Sequence, residues 1–316
     1  MATDIIRIGS RGSALALWQA HWVRDRLTQT FPSTSVEIVI IKTTGDRILD
    51  APLSRIGDKG LFTREIERAL LDGAIDLAVH SLKDLPTHLP DGLVLAAVTE
   101  REDVRDVFLP RPNAKERTLT GQPAGAVIAT GSLRRTSQLL HRRPDLSVID
   151  LRGNLNTRYQ KLTGSTWGGM ILARAGVVRL GWADRIGETL DPHVMLPAVG
   201  QGALGIEVRS KDRKIRKVVK CLHHEVTSQA TTAERALLRA LEGGCQVPIG
   251  TYARIEKGEL IMDAMVGSLD GKQVVRGSQH AAPSEADALG RSLADDLLAL
   301  GARAILEAIR HEANNP

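Results

Sequence analysis

The chain has 316 residues, of which 42% are apolar and only 3% aromatic, and its formal net charge of +5 accompanies a pI near 9.4. That length holds two or three domains with aliphatic cores, and so few rings exclude an aromatic platform for stacking nucleic-acid bases. Two cysteines, Cys221 and Cys245, exclude a disulfide framework, and a reducing cytoplasm is the expected compartment.

In chain order, residues 5–8 read as a strand, 13 to about 29 as an amphipathic helix, 36–41 as a strand and 61–71 as a helix, with further strands at 75–79 and 93–98. The pattern restarts with strand 126–129, helix 133–141, strand 146–151, helix 155–162 and strand 170–173. Such alternation predicts an α/β fold of two doubly wound lobes. Beyond Val226 the grammar changes. A long helix to Leu241 leads to strand-like runs at about 251–256, 260–266 and 272–280, and a last amphipathic helix covers about 285–309. This is a small α+β domain. The expected division is 1–102 with 200–220, then 103–199, then 221–316. The first residues lack the basic and apolar regions of a signal peptide, and runs such as 36–41 are too short to cross a bilayer, so a soluble intracellular protein is expected.

Gly200-Gln201-Gly202-Ala203-Leu204-Gly205 fits the dinucleotide fingerprint as a string. That fingerprint needs a strand before it and a helix after it. Here Met195-Leu196-Pro197-Ala198 precedes it and the strand-like Ile206–Arg209 follows, so no nucleotide site is expected.

Basic character is dominated by arginine, 31 against 11 lysines, and the planar guanidinium fork suits carboxylate or phosphate. Three arginine-bearing turns run from a strand into a helix: Arg11-Gly12-Ser13, Thr130-Gly131-Ser132-Leu133-Arg134-Arg135, and Arg152-Gly153-Asn154 ahead of Arg158. Each combines backbone N–H groups, a small polar residue and an arginine, the parts of an anion site at a helix start. In open α/β sheets such turns face the crevice at the carboxyl ends of the strands. Any one of them also reads as an ordinary cap with a solvated arginine; together they argue for a cleft that holds several anionic groups. His80-Ser81-Leu82-Lys83-Asp84 ends a strand at the same level. Asp84 is the carboxylate among these cations, useful where chemistry generates positive charge, or else a structural partner of Lys83 or Arg11. The segment 45–60, with Arg55, Asp58 and Lys59, reads as a surface loop or lid.

Cys245 lies in Leu241-Glu242-Gly243-Gly244-Cys245-Gln246-Val247-Pro248. The glycine pair stops the preceding helix and Pro248 blocks its return, so the thiol is held on a stiff, approachable turn. Cys221, His223, His224 and Cys245 match no zinc spacing, and no metal is expected.

Together these segments resemble the porphobilinogen deaminase (hydroxymethylbilane synthase) family through essentially the whole chain. The markers are Arg11-x-Ser13-x-Leu15-Ala16-x-Trp18-Gln19, Lys59-Gly60-Leu61-Phe62, His80-Ser81-x-Lys83-Asp84, Ser132-Leu133-Arg134-Arg135, Arg152-Gly153-Asn154, Leu196-Pro197-Ala198-Val199-Gly200-Gln201-Gly202 and Glu242-Gly243-Gly244-Cys245-Gln246-Val247-Pro248. The resemblance implies two lobes similar to bilobal solute-binding proteins plus a third domain, in a cytoplasmic, monomeric transferase of tetrapyrrole (haem) biosynthesis, with no nucleic-acid or membrane partner. Cys245 would carry a dipyrromethane cofactor by a thioether. Four molecules of porphobilinogen, a pyrrole bearing acetate and propionate, would lose ammonia and join it head to tail, and water would release hydroxymethylbilane. Asp84 would be catalytic and, with Lys83, Ser132, Arg134 and Arg135, would hold the cofactor. Arg11, Ser13, Arg152, Arg158, Arg179, Lys59 and Gln201 would bind substrate.

The chain departs from the family pattern at Arg55, Asp58, Gly131 (one hydroxyl fewer), Tyr159 and Arg174. Two other classes share parts of this reading. A non-catalytic solute-binding or sensor protein would share the lobes but has no use for Cys245 on its turn. A nucleic-acid binder would use the charge but should show interleaved aromatics or a recognition helix.

Overall fold

The computed structural model describes residues 5–47, 60–242 and 247–314. Its chain divides into two compact units, the first holding Met1–Leu49, Asp58–Glu102 and Gly200–Ser228 and the second Asp50–Gly57, Asp103–Val199 and Gln229–Pro316.

The first unit opens with β1 (Ile5–Ser10), α1 (Ala14–Thr30) and β2 (Ser35–Ile40). Ser13 caps α1, its hydroxyl accepting the Ala16 N–H at 3.3 Å. A short turn of helix, α2 (Thr44–Arg47), precedes α3 (Arg64–Leu71), β3 (Leu77–Ser81) and β4 (Leu93–Val98). The second unit begins with β5 (Asp106–Pro110) and continues through β6 (Val127–Ala129), α4 (Leu133–Arg142), β7 (Ser147–Ile149), α5 (Leu155–Thr163), β8 (Gly169–Ala173), α6 (Arg174–Arg179) and β9 (Glu188–Thr189). The chain then returns to the first unit as β10 (Leu204–Arg209) and α7 (Arg213–Val219).

The first sheet has the order β2-β1-β3-β10-β4, with β1 parallel to β2 and β3, and β10 antiparallel to both its neighbours. The second repeats the plan as β7-β6-β8-β5-β9, with β6 parallel to β7 and β8, and β5 antiparallel to β8. In both, a central strand has its successors on opposite sides, so the topological switch points lie between β1 and β3 and between β6 and β8. That is where open α/β sheets place ligands, outside the carboxyl ends of the strands.

The Gly200-Gln201-Gly202 turn is where the chain re-enters the first unit. Both glycines have positive φ, 68° and 94°, and a Cβ at 202 would lie 2.4 Å from the Glu102 carbonyl oxygen. The glycines serve a tight return beside the segment by which the chain leaves the first unit, and β10 rather than a helix follows, as the sequence reading expects.

The rest of the second unit is α8 (Glu225–Ala240), whose first residues overlap the first unit, then β11 (Ile249–Glu256), β12 (Glu259–Gly267), β13 (Val274–Ala281), α9 (Ala286–Leu297) and α10 (Arg303–Asn314). The three strands form an antiparallel meander, and α8, α9 and α10 cover it with Leu237, Leu293, Leu297 and Leu306. The last helix, expected as one piece, is two. Gly301 at φ 111° interrupts it in a wide turn over Leu298–Ala302. The strand β5 escaped the sequence reading. Among the described residues no helix is long and apolar enough to cross a membrane.

Gly290 of α9 lies against α8, where a Cβ would meet the Ala233 carbonyl oxygen at 2.2 Å and the Ala236 Cβ at 2.8 Å. Helix propensity alone makes Gly→Ala stabilising by about 1 kcal/mol, whereas overpacking costs about 1–3 kcal/mol. With backbone as the obstacle, overpacking should win. Gly290→Ala is expected to lower the urea midpoint; an unchanged or raised midpoint would mean the helices part without cost.

Candidate active site

In the first unit the turns after β1 and β3 flank the switch point. Gln19 of α1 donates its Nε2 to the Ser81 hydroxyl at 2.8 Å, tying the two turns together. Asp84 ends the single helical turn Leu82–Asp84, directly after β3. Its carboxylate is exposed, and among the described residues no hydrogen bond or ion pair engages it. Arg11, a sequence-level candidate partner, is turned to Asp46 instead. Its Nη2 lies 2.5 Å from Oδ1 and its Nε 3.1 Å, with the guanidinium stacked 4.2 Å from the Phe62 ring centre. Burial would raise the Asp46 carboxyl, but hydrogen bonds from Arg11 and Thr43 outweigh it and hold it below the usual range. Lys83, half-buried in the same turn, has other contacts.

Behind this turn sits a buried polar cluster that sequence reasoning did not find. His80 of β3 holds Glu207 of β10 through Nε2 at 2.9 Å, and both are buried. Burial, with the Glu207 charge nearby, pushes the Glu67 carboxyl of α3 above its ordinary value. His80 is therefore an internal tie between strands. Gln201 is buried at the chain's return, where its carbonyl oxygen accepts the Arg101 Nε at 2.7 Å.

In the second unit the turns after β6 and β7 and the helix after β8 carry the remaining candidates. Ser132 stands at the N-cap of α4 without a side-chain cap bond, so its hydroxyl is uncommitted among the described residues. A Cβ on Gly131 would lie 2.6 Å from the Leu151 carbonyl oxygen, which explains one departure from the family pattern: the β7 turn occupies the space a serine would need. Asn154 caps α5 by accepting the Thr157 N–H at 3.0 Å. Arg158 donates its Nε to the Gly153 carbonyl oxygen at 2.8 Å. Arg152 and Arg179 are half-buried, and burial lowers the Arg152 guanidinium against the pull of Asp150. Tyr159 packs on Trp182 with ring centres 5.3 Å apart and planes tilted by 41°, and Arg185 lies over both rings. Arg174 reaches Asp103 at 3.4 Å, where Arg105 also binds.

Arg134 and Arg135 are not solvated turn residues. Both are buried against a fully buried Asp106 of β5. Arg134 Nη1 donates to Asp106 Oδ2 at 2.8 Å and to the Leu196 carbonyl oxygen at 2.6 Å. Arg135 donates Nη2 to Asp106 Oδ1 at 2.8 Å and Nη1 to the Ile171 carbonyl oxygen at 3.0 Å. Burial would raise the Asp106 carboxyl; the two arginines outweigh it and hold it well below the usual carboxylate range. Burial also lowers Arg134, against Asp106, yet a guanidinium stays protonated at any physiological pH, so the triad is ionised. The Nε of each arginine is buried without a hydrogen-bond partner among the described residues.

Lys59, Arg55, Asp58 and Cys245 lie outside the described residues. On the near side of Cys245, α8 ends at Ala240 and Glu242 takes a left-handed φ of 49°; on the far side β11 begins at Ile249. Among the described residues no group of three His, Cys, Asp or Glu side chains could hold a metal.

Comparison with known proteins bears on this arrangement. A model of "Porphobilinogen deaminase, dipyromethane cofactor binding domain" matches residues 6–217, and one of the porphobilinogen deaminase C-terminal domain matches 228–299. The chain belongs to the porphobilinogen deaminase family. Members of this family are transferases, hydroxymethylbilane synthases. Porphobilinogen deaminase of Chloroherpeton thalassium is 53% identical over 307 residues, 96% of this chain and 97% of the relative. That of Carboxydothermus hydrogenoformans is 51% identical over 314 residues, 99% of this chain and all of the relative. Among solved structures, the periplasmic VFT2 domain of Bordetella pertussis BvgS overlaps 69% of this chain and 86% of its own at 12% identity and TM-score 0.42, too loose a likeness to bear on function.

Breaking a buried ion pair by removing one partner costs about 3–5 kcal/mol, because the remaining charge is stranded. Asp106→Asn strands two guanidiniums and is expected to lower stability by at least that amount in urea unfolding. Because the folded-state carboxyl is depressed, its contribution is present above the ordinary carboxylate range and is lost only as pH falls through the lowered folded value. The wild-type advantage over Asp106→Asn should therefore persist at pH 4; its disappearance there would refute the ionised triad.

Proposed function

We propose that this chain deaminates four porphobilinogen molecules and joins them head to tail on a dipyrromethane primer bound to Cys245, then releases hydroxymethylbilane by hydrolysis. The observation that carries the assignment is Asp84, an exposed carboxylate without a counter-ion among the described residues, on a turn at the carboxyl end of β3. We infer a cytoplasmic monomer with the functional division 1–102 with 200–220, 103–199 and 221–316.

The residues present fit an acidic dipyrromethane. The Nε groups of Arg134 and Arg135 and the Ser132 hydroxyl, without partners among the described residues, are donors suited to carboxylate side chains. When bound, the dipyrromethane supplies the nucleophilic pyrrole to which substrate is joined. Arg152, Arg158 and Arg179 would take the acetate and propionate of incoming pyrroles, as would Arg11, Ser13, Lys59 and Gln201. Arg11 would have to share itself between Asp46 and such a carboxylate. Loss of ammonia from the substrate's aminomethyl group leaves positive charge on its ring. An ionised Asp84 balances that charge, and its oxygens can accept a pyrrole N–H proton.

The protein as isolated is expected to weigh more than its sequence by two linked pyrrole units, and Cys245→Ser should lose that extra mass while keeping its fold. A wild-type protein of bare sequence mass with full activity would overturn the proposal.

Asp84→Asn keeps the shape but removes charge and proton acceptor. The fall is expected in kcat, by about 10²–10⁴-fold, the size associated with a lost positioned acid–base group. Because Asp84 engages no partner among the described residues, Tm should stay at the wild-type value. A lowered Tm with near-normal single-turnover rate would make Asp84 structural.

A further inference from the structure

On the first unit, helix α7 borders a groove of about 500 Å³ lined by Arg213, Arg216, Lys217, Lys220, His223 and Glu225, with Ala96 of β4 as its apolar floor. The four cations follow one another at i, i+3, i+4 and i+7, the spacing of a single helix face. Along that face they span about 10 Å at 1.5 Å per residue. The opposite face of the helix packs Ile215 and Val219 into the core, so the orientation is enforced by burial.

The charge is uncompensated. Among the described residues no carboxylate pairs with Arg213, Lys217 or Lys220, and Arg216 gives one nitrogen only to the Ser210 carbonyl oxygen, at 3.1 Å. The adjacent Asp212 is committed elsewhere, accepting the Ile215 N–H as helix cap and pairing with Arg209 at 2.9 Å. Glu225 meets His223 Nε2 at 3.3 Å, while His223 Nδ1 accepts the Val98 N–H at 3.3 Å. The carboxylate at the rim is thereby partly occupied. Holding four like charges on two turns of helix costs self-repulsion, which an anion in the groove would remove.

We propose that this groove binds a small polyanion bearing at least two phosphate or carboxylate groups about one to two helical turns apart. It is separate from the turns at the carboxyl ends of the strands and independent of their chemistry. A groove of this volume suits a small ligand, and the mixture of forked and point cations takes either anion class.

The test is calorimetric titration of the full-length protein with tripolyphosphate, benzenehexacarboxylate, orthophosphate and a short DNA duplex, repeated on the double variant Arg213→Gln with Lys217→Gln. Both residues are exposed, so the variant should fold and retain deaminase activity. Tripolyphosphate or the hexacarboxylate should bind once per chain, far more tightly than orthophosphate, and at least about tenfold more weakly in the variant. Whichever of the two binds better identifies the phosphate or carboxylate source. Polyanion binding that is equal in variant and wild type belongs to other arginines and overturns the proposal. So does an absence of binding, or a preference for the duplex, which would mark an extended nucleic-acid face.

Discussion

The second unit depends on one buried carboxylate. Asp106 sits at the start of β5, and its two oxygens engage guanidiniums from consecutive residues of α4. Through those arginines the same point reaches the Ile171 carbonyl on β8 and the Leu196 carbonyl on the segment that returns to the first unit. Gln138 closes the loop by exchanging two hydrogen bonds with Leu196, at 3.0 and 2.8 Å. From there Thr251 of β11 donates its N–H to Pro197. A helix start, two strands, the return segment and the C-terminal meander are thus held in one register. An apolar core of the same volume would be as stable or more so, but it would not fix these groups so specifically in direction.

That constraint explains why the anion-binding candidates stand where they do. Each five-stranded sheet puts its parallel core strands carboxyl end outward at a switch point, and a helix start follows each. The dipoles and open N–H groups of those starts favour anions irrespective of side chain. Arginines on the second sheet reinforce this bias, and the buried triad sets the direction of the α4 start. Asp84 on the first sheet is the exception in sign, and it alone among these turn residues is exposed and without a partner among the described residues.

Much of the architecture was legible because hydrophobic period and turn chemistry agree along the chain: most of the expected strands and helices fall within a few residues of their observed positions. β5 was not legible. Val107, Phe108 and Leu109 are all buried, so the run lacks alternation, and its charged flank and Pro110 read as loop. The single long C-terminal helix failed at Gly301, where helical periodicity continues on both sides of a break that only backbone geometry reveals. Arg134 and Arg135 were legible as anion binders but not as buried ones, because Asp106 lies 28 residues upstream of Arg134 in the strand that went unread. The His80–Glu207 tie joins residues 127 apart, a pairing that depends on β10 entering the first sheet between β3 and β4.

The departures from the family pattern that fall on described residues share a physical logic. Gly131 gives up a hydroxyl because the Leu151 carbonyl oxygen occupies the space above its Cα. Tyr159 packs against the tilted Trp182 ring and Arg185, and Arg174 finds Asp103, which already holds Arg105. Each is satisfied by neighbours in its own unit. A substitution whose charge or ring is absorbed locally leaves the field at a distance nearly unchanged, since a paired ion contributes as a dipole and solvent screens it within about a Debye length. Asp84 in the turn after β3, and Arg213, Arg216, Lys217 and Lys220 on and just after α7, engage no oppositely charged side chain among the described residues, so their charge is not reduced in this way.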